Sequence, residues 1–330
     1  MPKPFWSIMI PSYNCAYLLP KAIESALACK RAFPDTQIEV VDDCSTRDKP
    51  EEVVRRYQEF GVSFYRHPQN VGAPRNFSAC AARSRGEWIH ILHGDDYVRD
   101  DFYEKLHKSI ANRPQVYSAF TPFIAVNETG NELWTPDRLP TQAGLVAQEF
   151  RDAIATQNVI QAPSIVVRKA AYGEIGAFDP NLVHTADWDM WNRVIWKYPA
   201  YFEADTLAYY LIHSASDSSK LMRTGENLYD ALRAIKKASK YFPEERRAKY
   251  EKAARRLQAV LGVNQCRRYW SQGDNSGAFA QLKASIVLDP AWTLGRVLPG
   301  MIMPSAMKNV LKSSLARISR RDQPLEREPS

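Results

Sequence analysis

The sequence is poor in the features that mark several enzyme classes. Its five cysteines, Cys15, Cys29, Cys44, Cys80 and Cys266, form no CxxC pair and follow no regular spacing. Neither a zinc knot nor a disulfide framework is expected, and reduced thiols in the cytoplasm are the simplest reading. No apolar run reaches about 18 residues, so no membrane-spanning helix is expected. The opening MPKPFWSIMIPSYN lacks the long apolar stretch and small-residue cleavage site of a signal peptide. GxxxxGK[ST] and GxGxxG are both missing, which argues against a P-loop enzyme and a dehydrogenase. GxSxG and HExxH are missing too. Glycine is scarce, at 14 of 330 residues, so a collagen-like chain is excluded.

What is present is ordinary globular material. Hydrophobic residues make up 45% and charged residues 25%. The length suggests one large α/β domain with an appendage. Net charge is +7, but it is unevenly placed. Residues 1–219 carry 22 Lys and Arg against 27 Asp and Glu, a balance of −5. Residues 220–330 carry 22 against 10, a balance of +12. A basic appendage suits an anionic surface away from the chemistry of the front part. The expected division is 1–220, a helical region at 221–290, and a basic amphipathic tail at 291–330 whose last nine residues are expected to be disordered.

Apolar runs and turn residues predict strands at Trp6–Ile10, Gln37–Val41, Val62–Tyr65 and Glu87–Leu92. Helices are predicted at Tyr17–Cys29, Glu51–Phe60 and Ala73–Ser84. Strands alternating with helices of this length imply βαβ units and a largely parallel sheet. Further strands are predicted at Val116–Val126, Ala162–Lys169 and Leu207–His213. A helix is predicted at His184–Tyr198 with Thr185 as its N-cap. Ser214–Lys220 reads as a polar, flexible loop. From Asn227 to about Ile286 the chain reads as helical. A Gln272-Gly273-Asp274 turn within it makes a helical hairpin that must pack on the preceding helices.

The polar clusters all follow predicted strand ends. Asn14, Asp42-Asp43 and Asp95-Asp96 sit at the same edge of three strands, where open α/β sheets bind ligands. Adjacent carboxylates at Asp95-Asp96 are costly unless neutralised. A hard divalent cation completed by phosphate oxygens is the natural partner. A solvated Gly-Asp-Asp turn is the simpler reading of the dipeptide alone. Asp42-Asp43 taken alone reads more simply as a cap for the next helix; beside a nucleotide, one of the two carboxylates could accept from a pyrimidine N–H or a ribose hydroxyl. Asp187 and Asp189 stand near a helix start, which acids favour in any case. Two residues apart, they point about 200° from one another, so one at most faces a given site. Of six histidines, His93 and His213 end strands, while His67, His90, His107 and His184 join no constellation. His213 also precedes the polar loop, which could close over a substrate.

Taken together, these segments resemble the inverting glycosyltransferases of family 2. The resemblance runs from about Phe5 to Ser219. SIMIPSYN, IEVVDDCST, NVGAPRN, GEWIHILHGDD and ADWDMWNR resemble that family's signatures in order. It implies a GT-A fold: a mostly parallel, mixed sheet flanked by helices, here with a helical C-terminal extension. It implies that Pro11, Tyr13, Asn14, Asp42, Asp43, Arg75 and Asp95 bind the nucleotide sugar. Asp96 and Asp95, with His213 as a weaker candidate, would hold Mn²⁺ or Mg²⁺. Asp187 would be the catalytic base. Two departures stand out. His93 replaces the first acid of the usual Asp-x-Asp-Asp, leaving fewer expected ligands, and Ala186 precedes Asp187 where Glu is common.

The resemblance implies a metal-dependent enzyme that transfers a hexosyl unit from a nucleotide diphosphosugar, UDP-linked, to a saccharide or lipid-linked saccharide. Surface polysaccharide or glycolipid assembly is the expected setting. A nucleotidyltransferase would need a Gly-rich loop that PSYNCAY does not supply. A non-catalytic binding module has His93 as its only support. The basic region lacks an aromatic stacking platform, so no nucleic-acid partner is expected. Residues 291–321 read equally as a peripheral membrane contact at the inner face of the membrane and as a basic helical face in water.

Overall fold

The structure, a computed structural model, describes residues 3–213 and 216–297. The chain begins with β1 (Trp6–Ser12), α1 (Leu19–Leu27), β2 (Gln37–Asp42) and α2 (Pro50–Arg55). It continues through β3 (Val62–Arg66), α3 (Ala73–Arg83), β4 (Trp88–Ile91), β5 (Tyr97–Val98) and α4 (Phe102–Ile110). The middle holds β6 (Ser118–Phe120), β7 (Phe123–Val126), β8 (Glu132–Trp134), β9 (Gly144–Leu145) and α5 (Gln148–Thr156). Then come β10 (Ile165–Arg168), α6 (Lys169–Ile175), α7 (Ala186–Lys197), β11 (Ala200–Phe202) and β12 (Ala208–Leu211). Helices α8 (Asp217–Thr224), α9 (Glu226–Ala238), α10 (Glu244–Ser271), α11 (Asn275–Leu288) and α12 (Pro290–Val297) complete the described part.

β1 and β2 are buried at every position, as expected of central parallel strands covered on both faces. The polar residues among them are satisfied. Ser7 Oγ donates to Gln37 Oε1 at 2.6 Å, and Arg83 Nε donates to Glu39 Oε1 at 2.7 Å. The large sheet runs β3-β2-β1-β4-β10-β6-β11-β9. Its first four strands are mutually parallel, whereas β10 is antiparallel to both its neighbours. This is the expected α/β architecture with a mostly parallel sheet. A second sheet runs β5-β12-β7-β8. Its β5 directly follows Asp95-Asp96 and pairs with β12, Tyr97 opposite Tyr209.

Several expectations need correction. β1 continues through Pro11 to Ser12, because Pro11 keeps its carbonyl in use: it accepts from the Gly94 N–H at 3.1 Å. Val116–Val126 is not one strand. It breaks at Thr121-Pro122, and the two halves join different sheets. Residues 217–224, within and beyond the expected flexible loop, form α8, and 214–215 lie outside the described residues. Thr185 is the N-cap residue of α7, but its side chain makes no capping bond.

The chain divides into two compact units. The first holds both sheets and residues 233–254, where Phe242 and Tyr250 pack against Ala155 and Trp196. The second, among the described residues, comprises 217–232 and 255–297. There the expected hairpin forms around Gly273, with Asp274 accepting from Gly277 N to cap α11. Val263, Cys266, Ala278, Leu282 and Ile286 make its core. Among the described residues no helix is long and apolar enough to cross a membrane. The basic tail expected at 291–330 lies outside the described residues from 298 onward.

Candidate functional site

Parallel register carries the ends of β1, β2 and β4 to one edge. Ser12 stands opposite Asp42, and Met9 opposite Ile91. The turn after β4 lies close against the end of β1. A Cβ on Gly94 would come within 3.0 Å of Leu19 Cδ2 and 3.1 Å of the Pro11 carbonyl. Glycine ahead of the acid pair lets the turn pack this closely against β1.

The loops after β1 and β2 are stapled together. Asn14, at φ 53°, accepts from the N–H groups of Thr46 and Arg47 at 2.9 Å each, and its own N–H donates to Ser45 Oγ. Asp42 has no exposed surface. Its carboxylate takes the Ser45 hydroxyl and a 3.0 Å bond from Arg66. Asp42 thus organises the loop, and the expectation that it faces a nucleotide is revised. Asp43 is buried as well. Its two oxygens accept from Val71 N at 2.7 Å and Gly72 N at 2.9 Å. Gly72 sits at φ 86°, a backbone state that favours glycine. Burial pushes the Asp43 carboxyl up from its usual range, while those two N–H bonds pull it back. Asp43 fixes the loop that leads to Arg75. Arg75 itself is exposed, as is Tyr13. Both are open to a ligand at this edge.

The acid pair is the most polarised spot. Asp96 is buried. Its Oδ1 accepts from Leu211 N on β12 at 2.9 Å, and its Oδ2 has no hydrogen-bond partner. Burial and the Asp95 charge lift Asp96 well above the ordinary carboxyl range. Asp95 is half-buried, and Oδ2 accepts from His213 Nε2 at 3.1 Å. Burial pushes Asp95 up, but the bond from His213 and the nearby His93 and His213 rings outweigh it, so the net displacement is downward. His93 joins this cluster. Ligand atoms of His93, Asp95 and Asp96 all lie within 4.8 Å of one another. The His93 ring stacks on Phe77 at 4.7 Å, and burial lowers its pKa. The expected shortage of ligands is thereby corrected: an imidazole nitrogen stands beside the two carboxylates. His213 braces Asp95 and is not part of the three-residue group.

The two acids of α7 part as their spacing requires. Asp189 is buried among Arg193 Nε at 2.9 Å, Lys237 Nζ at 2.9 Å and the Tyr241 hydroxyl. Asp187 is half-buried. It accepts from Asn158 Nδ2 at 2.9 Å and from Trp188 N at 2.7 Å. One turn along the same face, Trp191 meets Phe178, which meets Phe77, the ring under His93. Three aromatic rings thus link the face of α7 that carries Asp187 to the acid cluster. Pro11, Asn14, Asp43, Asp95, Asp96 and His213 converge by direct hydrogen bonds or strand register. Asp187 is tied in through packing.

Some residues here gave no signal in the sequence. Arg66, which pairs Asp42, looks like an ordinary strand-end cation. Asn158, which holds Asp187, lies in no motif. A hard divalent cation fits the His93, Asp95 and Asp96 donor set. The unpartnered buried Oδ2 of Asp96 is the observation that favours one.

Residues 7–159 match the family model described as Glycosyl transferase family 2. An uncharacterized glycosyltransferase of Rickettsia typhi is 25% identical over 235 residues, 70% of each chain. The TarS 1–349 structure from S. aureus, in complex with UDP-GlcNAc, superposes with a TM-score of 0.64 at 14% identity. That match spans 97% of this chain and 93% of TarS 1–349. A mannosyltransferase of Pyrobaculum calidifontis, in complex with GDP-Man and Mn²⁺, gives 0.56 at 14% identity over 98% and 89% of the two chains. The shared architecture is the GT-A fold.

Proposed function

Residues 7–159 match the model of glycosyltransferase family 2, and on that premise we propose an inverting transferase that moves a sugar from a UDP-sugar to an acceptor hydroxyl. The observation that carries this reading is the buried Asp96 oxygen left unpartnered beside Asp95 and His93. Such a group calls for positive charge, and it stands at the strand edge where open α/β sheets bind ligands. TarS, with its UDP-GlcNAc complex, shares the fold and supports the choice of donor.

In this reading Tyr13 and Arg75 flank the nucleotide base, and Asp43, Asn14 and Pro11 shape the loops beneath it. A divalent cation, Mn²⁺ or Mg²⁺, held by Asp96, Asp95 and His93 would supply charge neutralisation for the departing diphosphate. Asp187 removes the proton from the acceptor hydroxyl. That oxygen forms a bond to the anomeric carbon as the carbon–oxygen bond to the diphosphate breaks. The electron pair of that bond leaves with the nucleoside diphosphate, and the proton passes from Asp187 to solvent. Asn158 and the Trp188 N–H orient the Asp187 carboxylate while this happens. One carboxylate suffices for a single displacement, which inverts the centre. A saccharide or lipid-linked saccharide, in surface polysaccharide or glycolipid assembly, is the acceptor class that suits such a hexosyltransferase.

The test is a donor screen. The full chain is incubated with a panel of UDP- and GDP-sugars and Mn²⁺ or Mg²⁺, and nucleoside diphosphate release is followed. Release from one UDP-sugar above all others supports the reading. No release and no nucleotide binding across the panel would remove it.

A further inference from the structure

A cavity of about 290 Å³ opens beside α5 and β8. Phe123, Trp134, Pro136, Asp137, Gln157 and Asn158 line it. Its size falls near the lower end of small-molecule pockets, roughly 300–1,000 Å³. It therefore suits one ring and not an extended chain. Trp134 is 46% exposed, a large apolar surface left open to water. Its ring is braced edge-on against buried Phe123, centroids 5.4 Å apart. A rigid indole offers a flat apolar face to a ligand at little entropic cost. Asp137 and Gln157 add a carboxylate and a carboxamide, which between them accept and donate hydrogen bonds. Arg138 reaches the Thr156 hydroxyl at 3.4 Å and ties the loop that carries Asp137 to the end of α5.

An aromatic plate with a carboxylate and amides beside it matches the chemistry of a pyranose. The C–H face of such a sugar is apolar, and its rim carries hydroxyls that need both donors and acceptors. Asn158 then supplies the decisive link. It is a wall of this cavity, and it donates through Nδ2 to Asp187 Oδ2 at 2.9 Å. One side chain, Asn158, thus separates the cavity from the carboxylate assigned as base.

We infer that this cavity is the acceptor subsite and that it takes a single pyranose ring. Trp134 is its stacking platform, and Asp137 and Gln157 are its hydroxyl contacts. Asn158 is a positioning residue that aligns Asp187 with the ring. The inference rests on the proposed transfer reaction and names its second substrate.

Saturation-transfer NMR tests it on the full chain with UDP and Mn²⁺ present. The probes are the methyl β-glycosides of glucose, galactose and N-acetylglucosamine, with ribitol as an open-chain polyol. At least one glycoside is expected to show ring-proton saturation, and ribitol much less. Trp134→Ala should cut that signal at least fivefold, and Asp137→Ala at least twofold. Trp134→Phe should keep part of it. UDP affinity, measured in parallel by calorimetry, should stay within about twofold in all three variants. Unchanged glycoside signals in Trp134→Ala and Asp137→Ala would overturn the inference. So would the lack of any glycoside signal from a protein that binds UDP. Failure of the unmodified chain to bind UDP or any UDP-sugar would instead overturn the transferase reading beneath it.

Discussion

His213 Nε2 donates to Asp95 Oδ2 at 3.1 Å across 118 residues of sequence. The pairing of β5 with β12 makes this contact, because it sets the strand that leads to His213 beside the turn that carries Asp95. A histidine that orients a ligand carboxylate typically governs metal affinity by roughly 10–100-fold. His213→Ala is expected to raise the Mn²⁺ concentration for half-maximal UDP binding by about that factor. Calorimetric titration of Mn²⁺ with UDP present checks it, and an unchanged midpoint would separate His213 from the site.

Asp189 and Asp187 should fail in different ways when altered. Asp189 has no exposed side-chain surface and faces Arg193 and Lys237. Removing one partner of such a group strands the others, a loss of about 3–5 kcal/mol. Arg193 keeps the carbonyls of Ile175, Gly176 and Ala177 as acceptors, so the lower end of that range applies. Urea unfolding of Asp189→Asn should show a loss of about 3 kcal/mol. A loss below about 1 kcal/mol would contradict the structural role.

Gly94→Ala places a Cβ within 3.0–3.2 Å of Leu19 Cδ2, the Pro11 carbonyl and Cys15 Sγ. Crowding of that kind costs about 1–3 kcal/mol. A lower melting temperature and weaker UDP binding are expected together, since the strain falls on the loop that holds Asp95. Calorimetry on one preparation reads both.

Acid should weaken the fold through His90. Its Nε2 donates to the Pro163 carbonyl at 3.2 Å and its Nδ1 accepts from the Tyr103 hydroxyl at 2.8 Å, a neutral tautomer. Burial pulls its pKa down from 6.5 to about 3. Only the unfolded chain then takes up the proton as pH falls from 6.5 toward 3, so stability drops on acidification. The slope from this one group is about 1.4 kcal/mol per pH unit below 6.5. Urea midpoints at pH 7.5, 6.5 and 5.5 should fall below 6.5, and His90→Gln should flatten that fall. Parallel curves for the two proteins would exclude His90 as the source.

The first four strands were legible because central parallel strands read as buried apolar runs, as Trp6–Ile10 and Gln37–Val41 do. The same continuity hid the break at Pro122: Val116–Val126 stays apolar while crossing from one sheet to the other. Strands β5, β8 and β9 span two or three residues each, too few for alternation to register. The second sheet was invisible for that reason, and with it the bond from Leu211 to Asp96. Acidic doublets announced the edge but not the division of labour within them. Asp42 and Asp43 differ by their partners, Arg66 in one case and the 71–72 backbone in the other, and neither partner lies nearby in sequence. His93 read as a loss because the motif expects an acid, yet an imidazole at that place still offers a nitrogen to the cluster. Asn158 could be found only in space.

The division between gripping the donor and activating the acceptor is tested most directly on Asp187→Asn, with UDP affinity and sugar transfer measured on the same sample. UDP should bind within about twofold of the unmodified chain, while turnover falls by roughly 10²–10⁴-fold. Turnover equal to that of the unmodified chain, at equal UDP affinity, would contradict the assignment of Asp187 and the mechanism built on it.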